Sequence, residues 1–178
     1  IVQRIILLSS TAIYQGSEGV VDENTSLNID ELNSIGLSSL KKVPILNQAE
    51  QVVLNFQGQG CVLRLAGLVG PERHPGKFLL AKRTLTNSTA PVNLIHQHDA
   101  VGLILCLLAS TLPKGIFNGV SDTHVPKAHY YQVAAKSLGL ESPTFSVDSP
   151  LDSTRIVSGD KAKQQLDLSL LPISKPKR

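Results

Sequence analysis

Three short stretches of this chain are aliphatic almost without interruption: Arg4-Ile-Ile-Leu-Leu8, Cys61-Val-Leu-Arg-Leu-Ala-Gly67 and Gly115-Ile-Phe-Asn-Gly-Val120. A strand with one wetted face alternates apolar and polar residues, whereas a continuous apolar run marks a strand covered on both faces, the arrangement of parallel sheets. Parallel neighbours cannot be joined by a hairpin, so each pair needs a crossover, and helix patterns lie where the crossovers belong. Between the first two runs, Leu46, Ala49, Val53 and Phe56 fall on one helical face, and Gly58 follows as a stop. Between the last two, residues 100–110 read as a helix with Asp99 at its N-cap. Strand, helix, strand, helix, strand in this rhythm predicts an α/β fold on a parallel sheet.

Beyond the third run, Val125-Pro126 opens a predicted helix through Tyr130, Val133, Ala134 and Leu138 that stops at Gly139. Arg155-Ile-Val157 then reads as a short strand and residues 159–166 as a last helix. The segment 15–42 reads as loop, and within 73–93 only residues 77–85 read as helical. Long loops that follow strand ends in an α/β sheet are where ligand sites collect.

With 178 residues, 42% of them hydrophobic, the chain can bury one substantial core, and it reads as a single domain. Its net charge of +3 is local, because Arg155, Lys161, Lys163, Lys175, Lys177 and Arg178 gather towards one end. That pattern predicts a solvated tail and no nucleic-acid face. Cys61 and Cys106 each sit in an apolar run with no partner at metal-ligand spacing, as reduced core cysteines of a cytoplasmic protein would. The longest apolar run, residues 100–108, falls well short of the roughly 20 residues that cross a bilayer, so a soluble protein without membrane contact is predicted. His96 and His98 stand two apart without a third ligand, which argues against a metal site. The chain starts at Ile1 inside a strand pattern and has no Met and no Trp. Those features predict either the back portion of a longer protein or a chain from which residues are missing.

The chemistry-bearing feature is Ser9-Ser-Thr11, three hydroxyls at the end of the first run, with Tyr14 three residues on. A hydroxyl fixed by a rigid strand can orient a carbinol or carbonyl oxygen, and it can equally end a strand by bonding loop backbone. Further along stand Ala49-Glu50 within a helix pattern, then Val62-Leu-Arg-Leu-Ala-Gly-Leu-Val-Gly-Pro71 and Val92-Asn-Leu-Ile-His-Gln-His-Asp99. Arg64 lies inside an apolar strand, either as a buried, partnered arginine or as a phosphate ligand.

In this order the motifs resemble the extended short-chain dehydrogenase/reductase superfamily, the NAD(P)-dependent epimerases and dehydratases of nucleotide sugars, and most closely its atypical branch. The resemblance implies a Rossmann-like doubly wound parallel sheet, here its C-terminal portion, with residues 71–98 and 121–178 forming a small substrate-side α/β subdomain. It implies NAD or NADP as cofactor, a small-molecule substrate such as a sugar nucleotide, and a homodimer as one form of assembly. Residue by residue it makes Ser10 and Thr11 the catalytic, substrate-orienting hydroxyls. Ser9, Leu65, Ala66, Gly67, Leu68 and Val69 would line the nicotinamide end. Tyr14, Gly70, Pro71, Arg73 and His96 would face the substrate.

Two departures from the family pattern stand out. Its chemistry uses a Tyr and a Lys four apart on a helix, the lysine lowering the phenol's pKa. Here the residues four after Tyr14, Tyr130 and Tyr131 are Glu18, Ala134 and Ala135, and the family's two positions fall on Lys42 and Leu46. The glycine-rich turn that admits a pyrophosphate to a helix N-terminus is likewise missing. Gly16-Ser-Glu-Gly19 and Gly67-Leu-Val-Gly70 each lack the next glycine. In the family that turn lies about 100 residues before the strand that opens this chain, at about 30 residues per βαβ unit. A catalytically silent NAD(P)-binding sensor or interaction protein is therefore the alternative to an oxidoreductase or epimerase.

Overall fold

The computed structural model describes residues 2–27, 42–81, 84–109, 111, 114–146 and 154–166. At its centre lies a parallel sheet formed by the three aliphatic runs, β1 (Arg4–Ser10), β3 (Gln59–Leu65) and β7 (Gly115–Gly119), in the order β1-β3-β7. The register sets Arg4 beside Gln59, Ser9 beside Arg64 and Ser10 beside Leu65, and Leu65 beside Gly119. β1 runs two residues past Leu8, so Ser9 and Ser10 belong to the strand itself.

Helix α1 (Lys42–Leu54) covers one face of this sheet and α3 (Gln97–Ala109) the other. Side chains alternate along a strand, which separates the two faces. Ser9 and Arg64 reach Glu50 of α1, whereas Arg4, five residues from Ser9 and so on the opposite face, donates to the Leu107 carbonyl of α3 at 2.7 Å. The fold is thus a doubly wound α/β sheet.

The inward stripe of α1 is Val43, Leu46, Glu50 and Val53. This corrects the face read from the sequence: Ala49 is exposed, and Phe56 lies beyond the end of the helix. The reason is electrostatic, since Glu50 is drawn inside by an arginine on β3. Gly60 lets α1 come this close, because a Cβ there would stand 2.0 Å from the Val53 carbonyl oxygen.

Smaller parallel pairs extend the structure. β2 (Val20–Val21) pairs with β9 (Ile156–Val157), β4 (Gly67–Val69) with β6 (Leu94–His96), and β5 (Thr84–Leu85) with β8 (Thr144–Phe145). The helix predicted for 77–85 is instead α2 (Pro75–Ala81), and Thr84–Leu85 leaves it to find a strand partner in Thr144–Phe145. α3 starts at Gln97, so Asp99 lies buried within its first turn, inside the helix it was expected to cap. α4 (Lys127–Ser137) follows Pro126 and is ended by Gly139 at φ +67°, and α5 (Asp160–Leu166) closes the described chain. The basic residues Lys175, Lys177 and Arg178 and residues 28–41 of the 15–42 loop lie outside the described residues.

The main core runs from Ile13, Tyr14 and Val43 through Leu63, Ile95 and Leu103 to Phe117, Val157 and Leu166. Separate clusters sit beneath β4 and β6 (Val69, Val92, Tyr130) and between α2 and α4 (Leu79, Leu85, Ala135). Among the described residues, no helix is long and apolar enough to cross a membrane.

Gly60→Ala is expected to destabilise the chain by about 1–3 kcal/mol, the usual cost of overpacking, because the obstacle is helix backbone that cannot swing aside. Urea unfolding checks this; an unchanged midpoint would refute the close approach of α1 to β3.

Candidate functional site

The C-terminal ends of the three central strands lie side by side, with Ser10, Leu65 and Gly119 level across the sheet. After Ser10 the chain turns through a short 3-10 helix, Thr11–Tyr14, and Ser10 caps it by accepting the Ala12 N–H at 3.1 Å. Serine serves well there because its hydroxyl reaches a backbone donor two residues on. Ser10 is partly exposed and Thr11 is buried, so Ser10 is the more accessible of the two hydroxyls.

Ser9 is also buried, and its hydroxyl donates to Glu50 Oε1 at 2.6 Å. Glu50 is 0% exposed and receives Arg64 through Nε at 3.1 Å and through Nη2 at 2.6 Å. The Nη1 of Arg64 donates to the Tyr14 hydroxyl at 2.8 Å, and that hydroxyl donates onward to Asn118 Oδ1 at 3.0 Å. Asn118 in turn donates through Nδ2 to the Ser158 carbonyl and through its backbone N–H to Glu23 Oε1 at 2.7 Å. The guanidinium also stands 5.0 Å from the centre of the Tyr14 ring, within cation–π range. One connected polar network therefore crosses under the strand ends from α1 to β7.

The electrostatics fit this connectivity. Burial pushes the Arg64 guanidinium down, but its bonds to Glu50 and Tyr14 more than offset that, and it stays charged. Burial raises the Tyr14 phenol, opposed only in part by Arg64, so it remains a neutral group that accepts from Arg64 and donates to Asn118. Tyr14 is 0% exposed, and its hydroxyl faces this network. Arg64 is the buried, partnered arginine of the two readings its sequence position allowed.

The segment that follows β3 leads straight into the second cluster of candidate residues. Ala66 donates its N–H to the Gly119 carbonyl, and Gly67, Leu68 and Val69 form β4. His96 lies in register with Val69, and its Nδ1 accepts the His98 N–H at 3.2 Å. A tight loop then carries Gly70 and exposed Pro71 and Arg73: the Arg73 N–H donates to the Gly70 carbonyl, and its Nε reaches the Leu68 carbonyl at 3.3 Å. Gly70 packs against Gln97, whose Oε1 would lie 2.9 Å from an added Cβ. Ser9, Ser10 and Leu65 are thus neighbours at the sheet, while Gly70, Pro71, Arg73 and His96 gather at the end of the β4–β6 pair.

Glu50, Asn118 and Glu23 were not singled out from the sequence as site residues. The face read from the sequence ran through Ala49 and so passed over Glu50, and Asn118 and Glu23 carried no signal. Gly16 and Gly19 adopt positive φ of 88° and 68° in the turn before β2, so that glycine pair serves a chain reversal. A concavity lined by Gln3, Gly58, Gln59 and Lys114 lies at the opposite, N-terminal end of the strands. In an open parallel sheet the ligand crevice lies outside the carboxyl ends, so the candidate site is the Ser9–Tyr14 side.

A twisted parallel sheet wrapped by helices on both faces, with strand-end loops at one edge, defines a Rossmann-type α/β domain, and its fold is the one shared by the extended short-chain dehydrogenase/reductases. Among solved structures, a functionally unknown conserved protein from Silicibacter pomeroyi superposes with a TM-score of 0.72 at 25% identity, covering 98% of this chain and 63% of that one. UDP-glucuronic acid 4-epimerase from Bacillus cereus, solved in complex with NAD, gives 0.72 at 16% identity, over 97% of this chain and 58% of that one. In sequence the chain is 35% identical to Protein YeeZ of Escherichia coli strain K12 over 168 residues, 93% of this chain. It spans 57% of the length of that protein. No family model matches the chain.

Two outcomes test the site's electrostatics. Arg64→Met would take the counter-ion from a buried carboxylate, and is expected to cost about 3–5 kcal/mol; a loss below about 1 kcal/mol in urea unfolding would contradict a closed ion pair. Burial raises the Glu23 carboxyl above its usual range, so the folded state holds that proton more tightly than the unfolded one, and stability falls as pH rises through and just above the carboxylate range. Glu23→Gln should remove that part of the pH dependence, read by unfolding at a series of pH values; an identical slope in both proteins would refute it.

Proposed function

We propose that this chain carries the nicotinamide and substrate end of an NAD(P)-dependent protein of the extended short-chain dehydrogenase/reductase superfamily. Its reaction would be an oxidoreduction or epimerisation of a sugar nucleotide or a similar carbonyl or alcohol compound. The observation that carries this reading is the capped hydroxyl turn of Ser10 and Thr11 at the carboxyl edge of a Rossmann-type sheet, level with Leu65.

The residues present fit one end of a dinucleotide. β3 ends at Leu65, level with Ser10, and Ala66 and Gly67 carry the chain on from the strand end beside the hydroxyl turn. The sequence contains no G-x-G-x-x-G pattern to hold the pyrophosphate, and in this reading that part of the cofactor would not be gripped by such a turn here. When bound, a nicotinamide supplies the hydride donor or acceptor. The chain's own part is orientation: Ser10, with Thr11 beside it, would hydrogen-bond the substrate's reacting oxygen. Ser9 and Leu65 to Val69 would border the ring. Gly70, Pro71, Arg73 and His96 would make the substrate side, Arg73 serving a phosphate, within a subdomain formed by 71–98 and 121–178; Tyr14, expected there from the sequence, is fully buried in the network and does not reach a ligand. Homodimeric assembly and a cytoplasmic location belong to the same reading.

A second reading, a catalytically silent NAD(P)-binding sensor or interaction protein, is favoured by one observation. The positions where the family has its Tyr and Lys hold Lys42 and Leu46, and Leu46 packs against the core. Calorimetric titration of the full-length protein with NADH and with NADPH tests what the two readings share, since binding of neither would sink both. For the enzyme reading, Ser10→Ala with Thr11→Ala should lower turnover by about 100-fold or more while cofactor affinity stays within about twofold; unchanged turnover would remove their role.

A further inference from the structure

The buried network does more than satisfy its own charges. It grips the hydroxyl turn at both ends: Ser9, immediately before the turn, is tied to Glu50, and Tyr14, its last residue, is tied to Arg64 and Asn118. The Tyr14 carbonyl is held as well, by Arg155 Nη1 at 2.7 Å. Between these anchors the turn's own hydrogen bonds are few, chiefly the Ser10 cap on Ala12 and the Gln15 N–H bond to the Ala12 carbonyl at 3.0 Å, and Ile13 packs into the core without directing the hydroxyls.

We propose that Glu50 and Arg64 are positioning residues for the Ser10–Thr11 hydroxyls, acting through Ser9 and Tyr14 rather than by touching ligand. Both are buried, at 0% and 3% exposure, so neither can reach a substrate. A buried ion pair is also a poor source of net stability, because well-packed apolar residues of similar volume commonly replace one at no loss. What apolar side chains cannot replace is direction: a carboxylate that accepts the Ser9 hydroxyl, and a planar guanidinium that divides its donors between Glu50 and the Tyr14 phenol. The pair therefore sets where the strand-end hydroxyls point. The inference rests on the assignment of Ser10 and Thr11 to the ligand, but its first test does not need that assignment to hold.

The experiment compares the full-length protein with the double variant Glu50→Leu/Arg64→Met by amide hydrogen exchange, with urea unfolding alongside. The double variant should keep its unfolding midpoint, while the Ala12 and Gln15 amides exchange about tenfold faster or more and the β3 amides stay protected, the signature of a local opening. If the turn amides keep their protection in a stably folded double variant, the pair is structural only and the proposal fails. Should that variant not fold, Tyr14→Phe decides, since it leaves the ion pair whole and cuts the tie to the turn: faster exchange at Ala12 and Gln15 supports the proposal, and unchanged exchange overturns it. A loosened turn in a protein that binds neither NADH nor NADPH would uphold the positioning role and refute the proposed function.

Discussion

A carboxylate and a guanidinium lie between α1 and β3 in a place where neither could remain charged alone. Desolvation there costs each ion several kcal/mol, and the geometry answers with Nε and Nη2 of Arg64 both on the Glu50 carboxylate and with Ser9 and Tyr14 taking bonding positions that remain. The consequence reaches beyond the pair. Because the two ions must meet, α1 presents Glu50 to the sheet in place of the Ala49 that the apolar pattern put there, and position 60 must be glycine to admit the helix backbone. The strand ends and the turn that follows β1 are then organised around the same two charges.

This arrangement separates two roles within one short segment. Ser9 and Tyr14 face inward and are committed to the network, whereas Ser10 lies between them, partly exposed. Alternation along a strand makes such a division natural, since neighbouring residues point to opposite faces. A tyrosine beside a cation is present, but it is fully buried and kept neutral, unlike a phenol whose proton is poised for transfer. The cation's work here is orientation.

Much of the fold was legible in the sequence because a continuous aliphatic run between polar residues is compatible with few structures besides a strand buried on both faces, and the three runs are the three central strands. Helix ends and short edge strands were less legible. Thr84–Leu85 is a strand only because Thr144–Phe145, some 60 positions away, pairs with it, and a local pattern carries no record of a distant partner. The same limit governed the network. Arg64 within an apolar strand allowed either a buried, partnered arginine or a phosphate ligand, and the helix face was read through Ala49, because nothing local joins residues 14 apart to each other. Asn118 and Glu23 gave no sign at all, being ordinary polar residues whose roles arise from the register of β7 against β3.

The central claim is that ligand chemistry belongs to the carboxyl edge of the sheet, at the Ser9–Tyr14 turn and the Leu65–Val69 segment. Amide chemical-shift mapping of the full-length protein during addition of NADH tests it directly. The shifts should concentrate on residues 9–14 and 65–70, with little change at Gln3, Gly58 and Lys114 on the far end of the strands. Shifts centred on that far end, with residues 9–14 and 65–70 unmoved, would contradict it.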